Sequence, residues 1–126
     1  IPSTIQRVGN LVEGGWPAIM EHNHDLAIEG RNLLCERLGI NLPCPDDMIS
    51  CIATLIIPNQ STGGIPLHEP DPLHEILLEK YGIQIPVWSW HSPEGRYIRI
   101  SAQLYNHIDE YKYLAEALVR ELNLET

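Results

Sequence analysis

Positive charge is scarce in this chain. Lys and Arg number 8 against 17 Asp and Glu, giving a formal net charge of −9 at pH 7. Such a balance repels phosphate backbones and anionic headgroups, so neither nucleic acid nor a membrane surface is expected as a partner. No apolar run approaches the ~20 residues that cross a bilayer, and the start of the chain has no signal-peptide pattern. Cysteine is sparse as well. Cys35, Cys44 and Cys51 are an odd number without C-x-x-C spacing, which argues against a disulfide scaffold and for a reduced, cytoplasmic protein. Cys44, in the Pro43-Cys44-Pro45 loop, is the thiol expected to be exposed. Gly63-Gly64 has no lysine near it, so it lacks the makings of a phosphate loop.

What is present fits one globular domain. A chain of 126 residues, 44% apolar and 20% charged, has material for a single core. It opens at Ile1-Pro2-Ser3 rather than at methionine, so it is expected to be a piece of a longer polypeptide. Residues 1–14 read as a short junction helix from Ser3 to Val12, carrying Ile5, Val8 and Leu11 on one side. Residues 15–126 read as the core. A long helix after Trp16-Pro17 shows Ile19, Met20, Leu26, Ala27, Gly30, Leu33, Leu34 and Leu38 as a stripe, with Gly39 as its stop. Gly30 on that stripe is expected to admit another backbone or a large side chain. His22 and His24, two apart, point to different sides of the helix and do not suggest a joint metal site.

Residues 48–57 predict a strand apolar on both faces, hence one covered on both sides. Asp71 and Pro72 open a third helix, with Leu73, Ile76, Leu77 and Tyr81 facing inwards, and Gly82 ends it. Ile83 to Trp88 reads as a strand that Pro86 confines to an edge. Ser92-Pro93-Glu94-Gly95 turns the chain into a hairpin with the next strand. Asn106 is the expected cap of a last helix, where Ile108, Tyr111, Leu114, Ala115, Leu118 and Leu122 are buried and Lys112 pairs with Glu116. The sum is a two-layer α+β domain: about three mainly antiparallel strands covered by helices.

The stretch Arg96 to Asn106 carries the chemistry. Ile98, Ile100 and Ala102 fall on one face of its strand and Tyr97, Arg99 and Ser101 on the other. An arginine flanked by isoleucines is expected at the edge of a core or inside it, where its guanidinium needs a carboxylate from the protein or from a ligand. The plainer alternative is an edge-strand arginine reaching solvent past an apolar stem. Arg96, at the turn, is expected to matter little.

Arg99-Ile100-Ser101-Ala102, Tyr105-Asn106 and the helix carrying Asp109, Leu114 and Ala117-Leu118 resemble the C-terminal end of class V aminotransferases, with the isopenicillin N epimerase-like branch, matched also at Trp88, the most similar. The resemblance implies the small C-terminal domain of a fold type I pyridoxal-phosphate enzyme: an amino-acid epimerase, lyase or aminotransferase, and a homodimer. It implies that Arg99 grips the α-carboxylate of a small amino-acid substrate, with Trp88 and His91 lining the site, though His91 reads more readily as a plain loop residue. The Schiff-base lysine and the other cofactor contacts are expected in a large domain of the same polypeptide, since Lys80 and Lys112 both look solvated. The chain alone is then inactive and binds no cofactor. Ile83 to Ile98 contains no cysteine, so the persulfide chemistry of cysteine desulfurases is not expected. The competing reading is a free-standing α+β binding module, in which Arg99 is structural and Trp88, Trp90 and Tyr97 form a partner surface.

Overall fold

The computed structural model describes residues 1–58, 69, 71–91 and 94–124. The elements run α1 (Pro2–Gly9), α2 (Gly15–Leu38), a 3₁₀ turn (Asp46–Met48), β1 (Ile52–Ile56), α3 (Pro72–Tyr81), β2 (Val87–His91), β3 (Glu94–Ser101) and α4 (Ile108–Glu121). The three strands form an antiparallel sheet in the order β1-β3-β2, so the strand bearing Arg99 is central. The helices cover one face, giving the two-layer α+β architecture. The core joins Leu26, Leu34 and Leu38 of α2 and Leu114 and Leu118 of α4 to Ala53, Leu55, Ile98 and Ile100 of the sheet.

Local chemistry sets the helix ends. Gly39 and Gly82 both take left-handed backbone (φ 66° and 68°) and close α2 and α3, as their positions foretold. The Asp71 carboxylate accepts from the Leu73 N–H at 2.9 Å, with Pro72 at the first helical position. Gly30 does leave room for a large side chain: a Cβ there would stand 3.0 Å from the Tyr111 ring. The Tyr111 hydroxyl donates to the Ser101 carbonyl at 2.7 Å, tying α4 and α2 to the end of β3.

Several expectations are corrected. β1 is an edge strand, shorter than residues 48–57, with a single covered face; Ile52 and Ile56 stand exposed on the other. The preceding residues form the 3₁₀ turn instead, held by Ile49 N–H to the Asp46 carbonyl. β2 begins at Val87, because the Ile83 N–H turns back to Leu77 and Pro86 has no N–H to offer. α1 starts at Pro2, with Ser3 inside it. His107, not Asn106, caps α4: Asn106 uses its side chain on Gln103 and Glu110, while the His107 and Glu110 side chains bond the helix start reciprocally. Met20 and Ile76 point to solvent. Lys112 pairs with Asp109, and Glu116 with Arg37. Cys44 is only half-buried, and its carbonyl accepts from Arg31. Gly63-Gly64 lies outside the described residues.

Two buried arginine contacts escaped the pattern. Arg31, fully buried in α2, binds the Cys44 carbonyl and the Asp46 carboxylate and pins the loop between α2 and β1. Arg96 is not the dispensable turn residue expected. Its Nε donates to Asp71 Oδ2 at 2.7 Å and a second nitrogen bonds Oδ1, with side chains 11% and 1% exposed. Arg96→Ala would strand the Asp71 charge in the core, so unfolding in urea should show a loss of about 3–5 kcal/mol. A change below ~1 kcal/mol would dismiss the anchor.

Tyr111 supplies a pH test. Its phenol is pushed up to about 12, first by burial and then by the charges of Glu110 and Tyr105. The unfolded phenol ionises near ~10, so its stabilising contribution is whole below that pH and lost as pH climbs to about 12. Lys80, raised chiefly by its bond to Glu121, acts in the same direction. Thermal melts of Tyr111→Phe should show a shallower alkaline decline than the parent chain.

Candidate functional site

At the C-terminal end of β3 the structure opens a cleft of about 460 Å³. One wall is the coil 82–86 that follows α3, the floor is Arg99 to Ser101, and the far wall is Tyr105, Asn106 and the first turns of α4. Arg99 lines it from the central strand. Its backbone is fixed on both sides, by its N–H to the Pro86 carbonyl at 3.3 Å and by its register opposite Thr54. Its side chain is exposed on the uncovered face of the sheet, and forms no ion pair or side-chain hydrogen bond with any described residue. The arginine is not inside the core; it is exposed, as the plainer alternative expected, but on the central strand rather than an edge one.

Glu110 faces the same cleft. Its Oε2 accepts from Asn106 Nδ2 and from the His107 N–H, each at 3.0 Å. These bonds, the Asn106 amide first, hold its carboxyl below the usual range, so it is ionised at neutral pH. The Tyr113 hydroxyl closes the outer rim onto the Tyr81 carbonyl at 3.3 Å. Glu110 stands three residues after His107 and completes a capping box with it.

Trp88 is not brought into this cleft. It stacks on Tyr97 (centroids 5.9 Å, interplanar angle 21°), on the same open face as Arg99 but beside it. His91 ends β2 opposite Glu94, and its side chain lies outside the described residues. Among the described residues no three His, Cys, Asp or Glu converge as metal ligands, and no helix is long and apolar enough to cross a membrane.

The two lysines do not fit a Schiff-base role. Lys80 is 62% exposed and paired with Glu121, and Lys112 is 58% exposed and paired with Asp109. A reactive amine needs the opposite: desolvation or cationic neighbours that lower its pKa. The partnership with Glu121 pushes Lys80 up.

No family model matches the chain. Along nearly its whole length it is similar to proteins named as L-cysteine desulfhydrases. It is 31% identical to a probable L-cysteine desulfhydrase, chloroplastic, of Arabidopsis thaliana, over 94% of this chain and 26% of that protein. It is 28% identical to an L-cysteine desulfhydrase of the same plant, over 94% of this chain and 28% of that protein. A putative L-cysteine desulfhydrase 2 of Oryza sativa subsp. japonica is 25% identical over 95% of this chain and 28% of its own length. The chain thus spans about a quarter of the length of the curated relatives it matches.

The lysine environments give a direct test. Treated with pyridoxal phosphate and borohydride, this chain should keep no stoichiometric pyridoxyl label by mass spectrometry. A one-to-one adduct on Lys80 or Lys112 would overturn the assignment of both as solvated surface amines.

Proposed function

We propose that this chain is the small C-terminal domain of a pyridoxal-phosphate enzyme of the class V aminotransferase type, and that Arg99 holds the α-carboxylate of an amino-acid substrate. The observation that carries the proposal is a guanidinium with no ion pair or side-chain hydrogen bond among the described residues, on a residue that the central strand fixes at its backbone and that lines a cleft. A planar fork with parallel donors matches both oxygens of a carboxylate. Cofactor attachment falls to a large domain outside this chain, since neither lysine here suits it. The uncovered sheet face with Ile52, Ile56 and Trp90 is then the side turned toward that domain. The assembled enzyme is a homodimer in a reducing compartment such as the cytoplasm, in keeping with three free cysteines.

The names of the relatives favour release of sulfide from L-cysteine as the reaction. The absence of cysteine between Ile83 and Ile98 suits that reading, because no thiolate stands there to carry sulfur away. Epimerisation is the second reading. It is supported by the likeness of Trp88, Arg99–Ala102 and Tyr105-Asn106 to the isopenicillin N epimerase-like branch.

Arg99→Ala in the full-length polypeptide should lower kcat/KM about 30-fold to several thousand-fold, the scale of ~2–5 kcal/mol for a truncated Arg–carboxylate pair. Cofactor content and melting temperature should hold. Arg99→Lys should restore part of the loss, since one ammonium cannot meet both oxygens in parallel. Unchanged turnover with a lowered melting temperature would make Arg99 structural and favour the non-catalytic binding module.

A further inference from the structure

The coil 82–86 is one wall of the cleft, and it belongs to neither a helix nor a strand. Pro86 offers no N–H, and the residue before a proline is confined to extended backbone, so this segment cannot brace itself with helical bonds. It keeps its place through the groups that take its carbonyls. The Pro86 carbonyl accepts the Arg99 N–H at 3.3 Å, and the Ile85 carbonyl meets His74 Nδ1 at 2.7 Å. A carbonyl only accepts, so the imidazole carries its proton on Nδ1. His74 is half-buried on α3, three residues after the Asp71 that Arg96 holds, and is not itself a lining residue of the cleft. Its bond reaches further than one atom. The Ile85 carbonyl and the Pro86 ring nitrogen share one planar peptide unit, so fixing the oxygen fixes the plane that leads to Pro86.

We propose that His74 is a positioning residue of the cleft: its Nδ1–H fixes the Ile85-Pro86 peptide and thereby the stance of that wall beside Arg99. The inference rests on the reading of the cleft as a substrate site and adds to it a residue that touches no substrate. The Ile85 side chain already packs partly against the core, which sets the depth of the coil. The direction of its carbonyl is left to the imidazole. Without that donor the oxygen turns to water, the peptide plane tilts, and the Pro86 carbonyl loses its line to the Arg99 N–H. The strand itself stays, since Arg99 is also paired with Thr54 of β1. The consequence falls on the width of the cleft, hence on how firmly a substrate is gripped in ground and transition state alike.

Two substitutions separate a donor from a filler. His74→Asn carries an amide nitrogen at the position of Nδ1, while His74→Leu fills similar space with no donor. In this chain, hydrogen exchange read by NMR should show the Arg99 amide about five- to tenfold faster in His74→Leu, the scale of one hydrogen bond, and near the parent rate in His74→Asn. The Ala102 amide, bonded to the Cys51 carbonyl on the β1 side, should keep its rate in both. In the full-length polypeptide acting on L-cysteine, His74→Leu should raise KM severalfold with kcat held within about twofold, and His74→Asn should restore KM. Equal Arg99 exchange in all three chains, or rescue by Leu rather than Asn, would make His74 a packing residue and overturn the inference, leaving the role of Arg99 intact. Faster Arg99 exchange with KM unmoved would overturn its place in the site. If Arg99→Ala leaves turnover intact, the substrate reading fails, and the role of His74 in it fails too.

Discussion

Asp71 is a buried carboxylate on which the placement of the cleft depends. One of its oxygens accepts both the first free N–H of α3 and a nitrogen of Arg96, and the other takes Arg96 Nε. An acid at a helix start is favoured by the dipole, and one facing a guanidinium is favoured by charge. Here the same group does both, so α3 cannot shift without breaking its own cap. The far end of α3 runs through Gly82 into the coil 82–86, which is the cleft wall opposite α4. A buried pair of this kind adds little net stability over an apolar substitute, because desolvation offsets the attraction. Its contribution is positional: only one arrangement of α3 against β3 leaves neither charge unpaired.

The opposing wall is set by shape. Tyr111 lies flat against the missing side chain of Gly30 and hydrogen-bonds the last residue of β3. Any residue larger than glycine would push the ring, and with it the first turns of α4, where Glu110 sits. Asp71 on one side and Gly30 on the other thereby fix the two flanks of the Arg99 strand. Neither residue touches the cleft.

The two arginines of β3 show what the chain made legible. They are three apart, and an odd separation on a strand sends them to opposite faces. Alternation alone therefore placed Arg99 with Tyr97 and Ser101, away from Ile98 and Ile100. It gave no means of knowing that Arg96 meets Asp71, 25 residues upstream. The capped helices were readable because Asp71-Pro72, Gly39 and Gly82 act on their immediate neighbours. Arg31 was not readable: its partners, Cys44 and Asp46, come from a loop whose path is fixed only on folding. β1 misled for a related reason. Its apolar residues at Ile52 and Ile56 imply two covered faces, and the described residues of the chain cover one.

Charge gives the last constraint on the cleft. A domain of net charge −9 sets up a field that disfavours an incoming carboxylate. At physiological ionic strength that field fades over ~8 Å, so distant acids count for little beside a guanidinium in contact. Three of the acids are further blunted by local partners: Glu121 by Lys80, Asp109 by Lys112, Glu116 by Arg37. Glu110 stands apart, held by neutral donors that steady its charge without cancelling it.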